Sequence, residues 1–243
     1  MSLQFVVGSS GTGKSTLIYN KIIEESIANP KKNYIIIVPE QFTMLTQKEL
    51  VRLHPNHVIM NIDVLSFNRL AYRVFDELGI ETLDVLEETG KNLLIRKIAM
   101  DKKEELSVLS ANINKTGYIS EIKSFISELS QYNISANDFS SLLSEEDFNK
   151  SFRKKANDIA LIYKAYEDFI RDRYITAEGL LVRLNEVISD SKFLSNSEFV
   201  FDGFTGFTPL QNELLKTILP RVDKSYVIVT IDGKEALYGD IKE

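Results

Sequence analysis

Cysteine is absent, which excludes disulfides and any cysteine-ligated zinc or iron–sulfur site within these 243 residues. Histidine is nearly absent too. His54 and His57 flank Pro55 and Asn56 in a turn-forming stretch, where an exposed loop explains them more simply than a pair of metal ligands. No apolar run is long enough to span a membrane. Met1 leads directly into a first strand with no signal-peptide pattern. A soluble, cytoplasmic protein without membrane contact is therefore expected. There is no basic excess: the formal net charge is -6, so the surface as a whole does not advertise nucleic-acid binding. A local basic groove can still coexist with an acidic average. Also missing are a Ser/His/Asp set, an H-E-x-x-H helix and a tight carboxylate cluster suited to two metals. What remains is an apolar content of 44%, enough for a sizeable core in one large domain or two small ones.

Against these absences stands one dense motif. Gly8-Ser9-Ser10-Gly11-Thr12-Gly13-Lys14-Ser15, followed by Thr16, fits the phosphate-binding pattern G-x-x-x-x-G-K-[ST]. It follows the apolar run Leu3 to Val7, read as a buried strand, and precedes a helical pattern. A strand–loop–helix of this kind aims successive N–H groups and the positive end of the helix dipole at one spot. The pattern calls for ATP, with Lys14 reaching the β/γ-phosphates and Ser15 holding Mg²⁺. The plainer reading is a glycine-rich turn with a surface lysine.

Strand and helix patterns alternate over the first eighty residues. Lys14 to about Ala28 has Leu17, Ile18, Ile22 and Ile27 near helical spacing, and Asn29-Pro30 stops it. Tyr34 to Val38 is a β-branched run typical of a parallel strand covered on both faces. A helix from Phe42 to about Leu53, a strand from Val58 to about Val64 and a helix from Ser66 to Leu78, closed by Gly79, follow. From about Leu83 to Leu194 the pattern is helical. Apolar stripes run through Ile119, Ile122, Phe125, Ile126, Leu129 and Tyr132, through Ile159, Ile162, Tyr163, Tyr166, Phe169 and Ile170, and through Leu180, Leu181, Leu184, Val187 and Ile188. Such stripes are core more often than binding surfaces. The α/β pattern then resumes with Glu198 to Asp202, a helix from Pro209 to Leu219 and a strand from Tyr226 to Ile231. The expected architecture is an α/β parallel sheet with helices on both faces, formed by residues 1–82 and 195–243, interrupted by an all-helical insertion over 83–194.

A phosphate loop needs an apolar strand ending in Asp, whose carboxylate holds Mg²⁺ through water. Phe199-Val200-Phe201-Asp202 supplies it, unless Asp202 merely initiates a turn before Gly203. Hydrolysing motors usually carry Glu at the next position, to position or deprotonate the attacking water. Gly203 can do neither, so nucleotide binding and fast hydrolysis separate. The basic residues Lys91, Arg96, Lys97, Lys102 and Lys103, and Arg153, Lys154 and Lys155, are interleaved with acids. Solvated helix faces explain them at least as well as DNA phosphates do.

Loop, insertion and late strand-Asp together resemble the layout of superfamily 1 helicases of the UvrD type, a RecA-like P-loop NTPase fold. More closely, Val6 to Ser15, Ile37-Val38-Pro39-Glu40-Gln41-Phe42-Thr43, Val64 to Ala71 and Phe201-Asp202-Gly203-Phe204-Thr205-Gly206-Phe207-Thr208-Pro209-Leu210-Gln211 resemble the start of the AddB family, B subunits of ATP-dependent helicase/deoxyribonucleases. The likeness spans nearly the whole chain. It implies that two helicase motifs contacting single-stranded DNA map onto Val38 to Thr43 and Leu65 to Arg69, which nominates Pro39, Glu40, Gln41, Thr43, Ser66, Phe67 and Arg69. It implies further that ATP and Mg²⁺ (Ser15 and Asp202) are the cofactors, with an iron–sulfur cluster only in a distant C-terminal part. The implied partners are DNA, as ends and single strands, and an AddA-type helicase/nuclease subunit that drives unwinding in double-strand-break repair. The second motor domain and nuclease domain lie outside this segment. No residue is nominated as catalytic. A P-loop small-molecule kinase and a nucleotide-regulated binding module without turnover are the competing readings.

Overall fold

The structure is a computed structural model and describes residues 2–145 and 148–231; Met1 and the last stretch of the expected α/β domain, 232–243, lie outside the described residues. The chain divides into two compact units. One comprises Met1–Ile80, Arg183–Phe207 and Gln211–Glu243, and the other Glu81–Val182 with Thr208–Leu210.

The first unit opens with β1 (Ser2–Gly8), α1 (Lys14–Ala28), β2 (Asn33–Ile37), α2 (Thr43–Leu53), β3 (Ile62–Leu65) and α3 (Phe67–Leu78). The second contributes β4 (Asp84–Val85), α4 (Glu88–Asp101), α5 (Thr116–Gln131), α6 (Ala136–Glu145), α7 (Lys150–Ile170) and β5 (Tyr174–Ile175). Helix α8 (Ala177–Val187) leads back to β6 (Ser197–Phe201), α9 (Pro209–Ile218) and β7 (Lys224–Thr230).

The main sheet has the order β1-β7-β6-β2-β3, and every pair is parallel. Parallel strands need helical crossovers, and these cover both faces. On one face Tyr34, Ile36, Val200, Tyr226 and Ile228 pack with Ile18, Ile22 and Ile23 of α1 and Leu50 of α2. On the other, Phe201 stacks on Phe67 of α3 and meets Phe207 edge-on. Ser66 caps α3, its hydroxyl accepting from the Arg69 N–H, and Gly79 ends the helix with φ 66°, a conformation that favours glycine.

Three local readings change. Strand β1 is not buried: Leu3, Phe5 and Val7 share an exposed face, Phe5 at 62%. Among the described residues β1 pairs only with β7, and α1 covers the opposite face, where Val6 joins the core. In α1 the buried stripe is Ile18, Tyr19, Ile22, Ile23 and Ser26, while Leu17 and Ile27 face out. The third strand begins at Ile62 rather than Val58, its register with β2 starting at Tyr34 opposite Ile62.

In the second unit the aromatic and aliphatic stripes form core. Ile119, Ile122, Ile126 and Leu129 of α5 meet Ile159, Ile162, Tyr163 and Tyr166 of α7, while Tyr132 at the end of α5 is exposed. This unit is not purely helical, since Asp84–Val85 pairs in parallel with Tyr174–Ile175. Asp158, buried on α7, accepts from the backbone N–H groups of Ser107, Val108 and Leu109 and from the Ser107 hydroxyl, at 2.7–3.0 Å. Burial pushes its carboxyl up, but these donors outweigh that and hold it below the ordinary aspartate value. Lys91, also buried, is neutralised by Glu178 at 2.9 Å and Glu88 at 3.1 Å.

Candidate nucleotide and nucleic-acid site

The glycine-rich loop leaves the C-terminal end of β1 and enters α1 through two left-handed residues, Gly11 (φ 74°) and Gly13 (φ 82°). Side chains are strained there, so glycine is what allows the loop to wrap. Gly8 matters for a different reason. A Cβ on it would come within 3.0 Å of Thr12 Oγ1 and 3.4 Å of Lys14, filling the inside of the loop. The Thr12 hydroxyl and Lys14 Nζ both donate to the Ser9 carbonyl, at 2.9 and 2.7 Å, bracing the loop across itself.

Helix α1 begins at Gly13 with no side-chain cap and no acidic residue in its first turn. Its leading N–H groups and positive dipole end are thus left for an anion. The loop and Asp202 line a common cavity of about 570 Å³, whose walls include Ser10 to Thr16, Asp202 to Thr205 and the end of β7. This donor set fits a polyphosphate with a divalent cation: N–H groups and a lysine for the phosphates, a hydroxyl and a carboxylate for the metal.

Asp202 sits just past β6, with its backbone N–H bonded to the Ile37 carbonyl at 3.0 Å. The residue is nine-tenths buried, and its Oδ2 accepts from the Tyr19 hydroxyl at 2.6 Å. Tyr19 escapes a motif search, though its position four residues after Ser15 is a usable signal. Burial, then the adjacent Asp202 charge, pushes its phenol well above the usual tyrosine range and keeps it protonated as a donor. Gly203 follows with φ 76° and is exposed; a Cβ there would lie 3.4 Å from Phe42 and 3.5 Å from Pro39.

The segments nominated for DNA contact follow β2 and β3, at the same C-terminal end of the sheet as the loop and Asp202. Pro39 leads a short 3₁₀ turn, Glu40–Phe42, into α2. Glu40 is the hub: its carboxylate accepts from the Ser66 hydroxyl and from Arg69 Nε, the latter at 3.0 Å. Thr43 is buried and donates to the Glu40 carbonyl. Phe67 is buried too, packed on Phe201, Phe204 and Phe207. Thr43, Ser66 and Phe67 therefore shape this end of the sheet from inside, leaving Glu40, Gln41 and Arg69 exposed and Pro39 half-buried.

The other candidates resolve in simpler ways. His54 is buried rather than in an exposed loop, its Nδ1 accepting from the Asn56 N–H at 3.2 Å. Among the described residues no group of three or more His, Asp or Glu could hold a metal. Lys91 is consumed by its ion pairs, and Lys102 pairs with Glu105. No helix among the described residues is long and apolar enough to cross a membrane.

Comparison with known proteins accounts for this combination. The family described as "ADDB, N-terminal" matches residues 5–241. The chain is 46% identical over 235 residues to the B subunit of an ATP-dependent helicase/deoxyribonuclease from Lachnoclostridium phytofermentans, covering 97% of this chain and 20% of that protein. B subunits of the same name from Listeria monocytogenes and Clostridioides difficile are 32% and 34% identical, over 98% and 96% of this chain and 20% of each relative. The chain spans about a fifth of the length of these relatives. With a parallel α/β sheet of the RecA-like kind and a family match over nearly its whole length, the chain belongs to the ADDB N-terminal family.

Proposed function

We propose that this chain is the nucleotide-binding, motor-derived N-terminal part of a B subunit that works with a larger helicase/nuclease subunit on DNA ends, in the cytoplasm, during recombinational repair of double-strand breaks. The observation that carries the nucleotide reading is the uncapped start of α1 opening, together with Asp202, onto a common cavity. The relatives' shared name supports the wider role.

In this reading the N–H groups from Gly11 to Thr16 bind the phosphates of ATP. Lys14 exchanges the Ser9 carbonyl for a phosphate oxygen, and Ser15 and Asp202 hold Mg²⁺. The ion supplies neutralisation of the phosphate charge. Gly203 brings no carboxylate toward the attacking water, so the site retains nucleotide and turns it over slowly. Glu40, Gln41 and Arg69, on the same end of the sheet, face single-stranded DNA.

Titration calorimetry on the full-length protein tests the site. Lys14→Ala should abolish Mg-ATP binding, and unchanged binding by this variant refutes the assignment. Purification of the full-length protein from its host should also recover the large helicase/nuclease partner.

A further inference from the structure

Ser15 and Tyr19 stand four residues apart on α1, on one face of the helix. Ser15 faces the cavity that Asp202 also lines, while Tyr19 lies beneath it, 5% exposed. The 2.6 Å bond from the Tyr19 hydroxyl to Asp202 Oδ2 joins residues 183 positions apart in sequence. It ties the start of the phosphate-loop helix to the end of β6. A carboxylate this buried is costly without a donor, and a charge-assisted bond of this length fixes its orientation.

Resting on the nucleotide reading above, we propose that Tyr19 is a positioning residue for the metal side of the site. By engaging Oδ2 it locks the Asp202 side chain and presents Oδ1 to the cation held by Ser15. The site's gain in nucleotide affinity from Mg²⁺ therefore depends on a phenol that touches neither nucleotide nor metal. The fixed parts of the device are all in the chain. The Asp202 backbone is pinned to the Ile37 carbonyl, and the Tyr19 ring is packed in the core with Ile18, Ile22 and Ile23. The bond from the Tyr19 hydroxyl then restrains the Asp202 side chain between these two fixed points.

The experiment compares ATP affinity with Mg²⁺ and with EDTA in the full-length protein, for the parent, Tyr19→Phe, Asp202→Asn and Lys14→Ala. Phenylalanine keeps the ring, circular dichroism reports whether each variant is folded, and binding in EDTA reports the metal-free site of the folded protein. The expected result is unchanged affinity in EDTA for Tyr19→Phe. Its Mg²⁺-dependent gain should fall roughly tenfold, as for loss of a hydrogen bond to a charged group, and approach that of Asp202→Asn. A Tyr19→Phe protein with the parent's Mg²⁺ gain, or a larger one, overturns the positioning role while Lys14→Ala still upholds the nucleotide site. If Lys14→Ala binds as the parent does, or Asp202→Asn keeps the full Mg²⁺ gain, the underlying site assignment fails and the role of Tyr19 falls with it. Loss of binding by Tyr19→Phe in EDTA as well as in Mg²⁺ also overturns the proposal, because a positioning residue for the metal leaves metal-free binding intact.

Discussion

Restoring the missing glutamate of hydrolysing motors is the obvious repair, and Gly203→Glu should fail at it. Gly203 sits at φ 76°, where a residue with a Cβ costs about 1–2 kcal/mol. The Cβ itself would meet Phe42 at 3.4 Å and Pro39 at 3.5 Å, ordinary contacts that add little further cost. Their identity settles the direction, however: the new side chain would start against the turn after β2. Two outcomes follow. Gly203→Ala and Gly203→Glu should each lower the midpoint of thermal unfolding by on the order of 2–8 °C, with Gly203→Asn losing less because asparagine tolerates the left-handed region. ATP turnover in Gly203→Glu, followed by phosphate release with and without single-stranded DNA, should stay within about tenfold of the parent, or 1.4 kcal/mol in barrier. A well-placed general base would add about 10²–10⁴-fold. A Gly203→Glu protein that hydrolyses ATP two orders of magnitude faster, without loss of stability, would refute the reasoning, since neither the left-handed backbone nor the Cβ contacts with Phe42 and Pro39 would then keep the carboxylate from the water.

Two further perturbations probe other parts of the chain. Glu40→Gln should release Arg69 from its ion pair at 3.0 Å. If the freed guanidinium meets one phosphate, the slope of log affinity against log salt for single-stranded DNA should steepen by about 0.7; an unchanged slope in filter binding would remove Arg69 from the interface. Asp158→Ala strips four hydrogen bonds from a buried turn and should cost about 3 kcal/mol in urea unfolding. Because the folded carboxyl is held below its ordinary value, that stability is fully present above the unfolded pKa of about 3.9 and is lost as pH falls through the folded value. The gap between parent and Asp158→Asn should therefore shrink on acidification below about pH 4; a gap that widened there would contradict the sign.

The sheet was readable because each strand carries its own signal. Tyr34 to Ile37 is a continuous apolar run, and the chain places it between β6 and β3, covered on both faces. The same rule failed at Leu3 to Val7, a run that is apolar apart from Gln4. Local composition says that a strand forms but not whether its edge is covered, and β1 pairs with β7 from more than two hundred residues away. Helix α1 was placed correctly, with Ile18 and Ile22 in its buried stripe, but Leu17 and Ile27 fall outside that stripe for a related reason. Leu17 and Ile18 are adjacent and equally apolar, and which one is buried depends on where β2 and β7 lie, which spacing alone does not state.

The site divides along the same line. The glycine-rich loop is legible as a loop because it is contiguous, and Gly11 and Gly13 take the left-handed conformations that its turn requires. Tyr19 and Glu40 were hidden as to role because their partners, Asp202 in one case and Ser66 with Arg69 in the other, are reached only through the sheet. Gly203 is the instructive intermediate. The sequence reveals what it lacks, a carboxylate, while the backbone adds a positive φ of 76° and the neighbours Phe42 and Pro39. A side chain at this left-handed position would start against Pro39 and Phe42, so a carboxylate added there must turn back from that start to reach the cavity that Gly203 lines. In the proposed reading, slow turnover belongs to the end of β6, where Gly203 stands in place of a glutamate, and nucleotide binding to the end of β1, where Gly11 and Gly13 shape the loop.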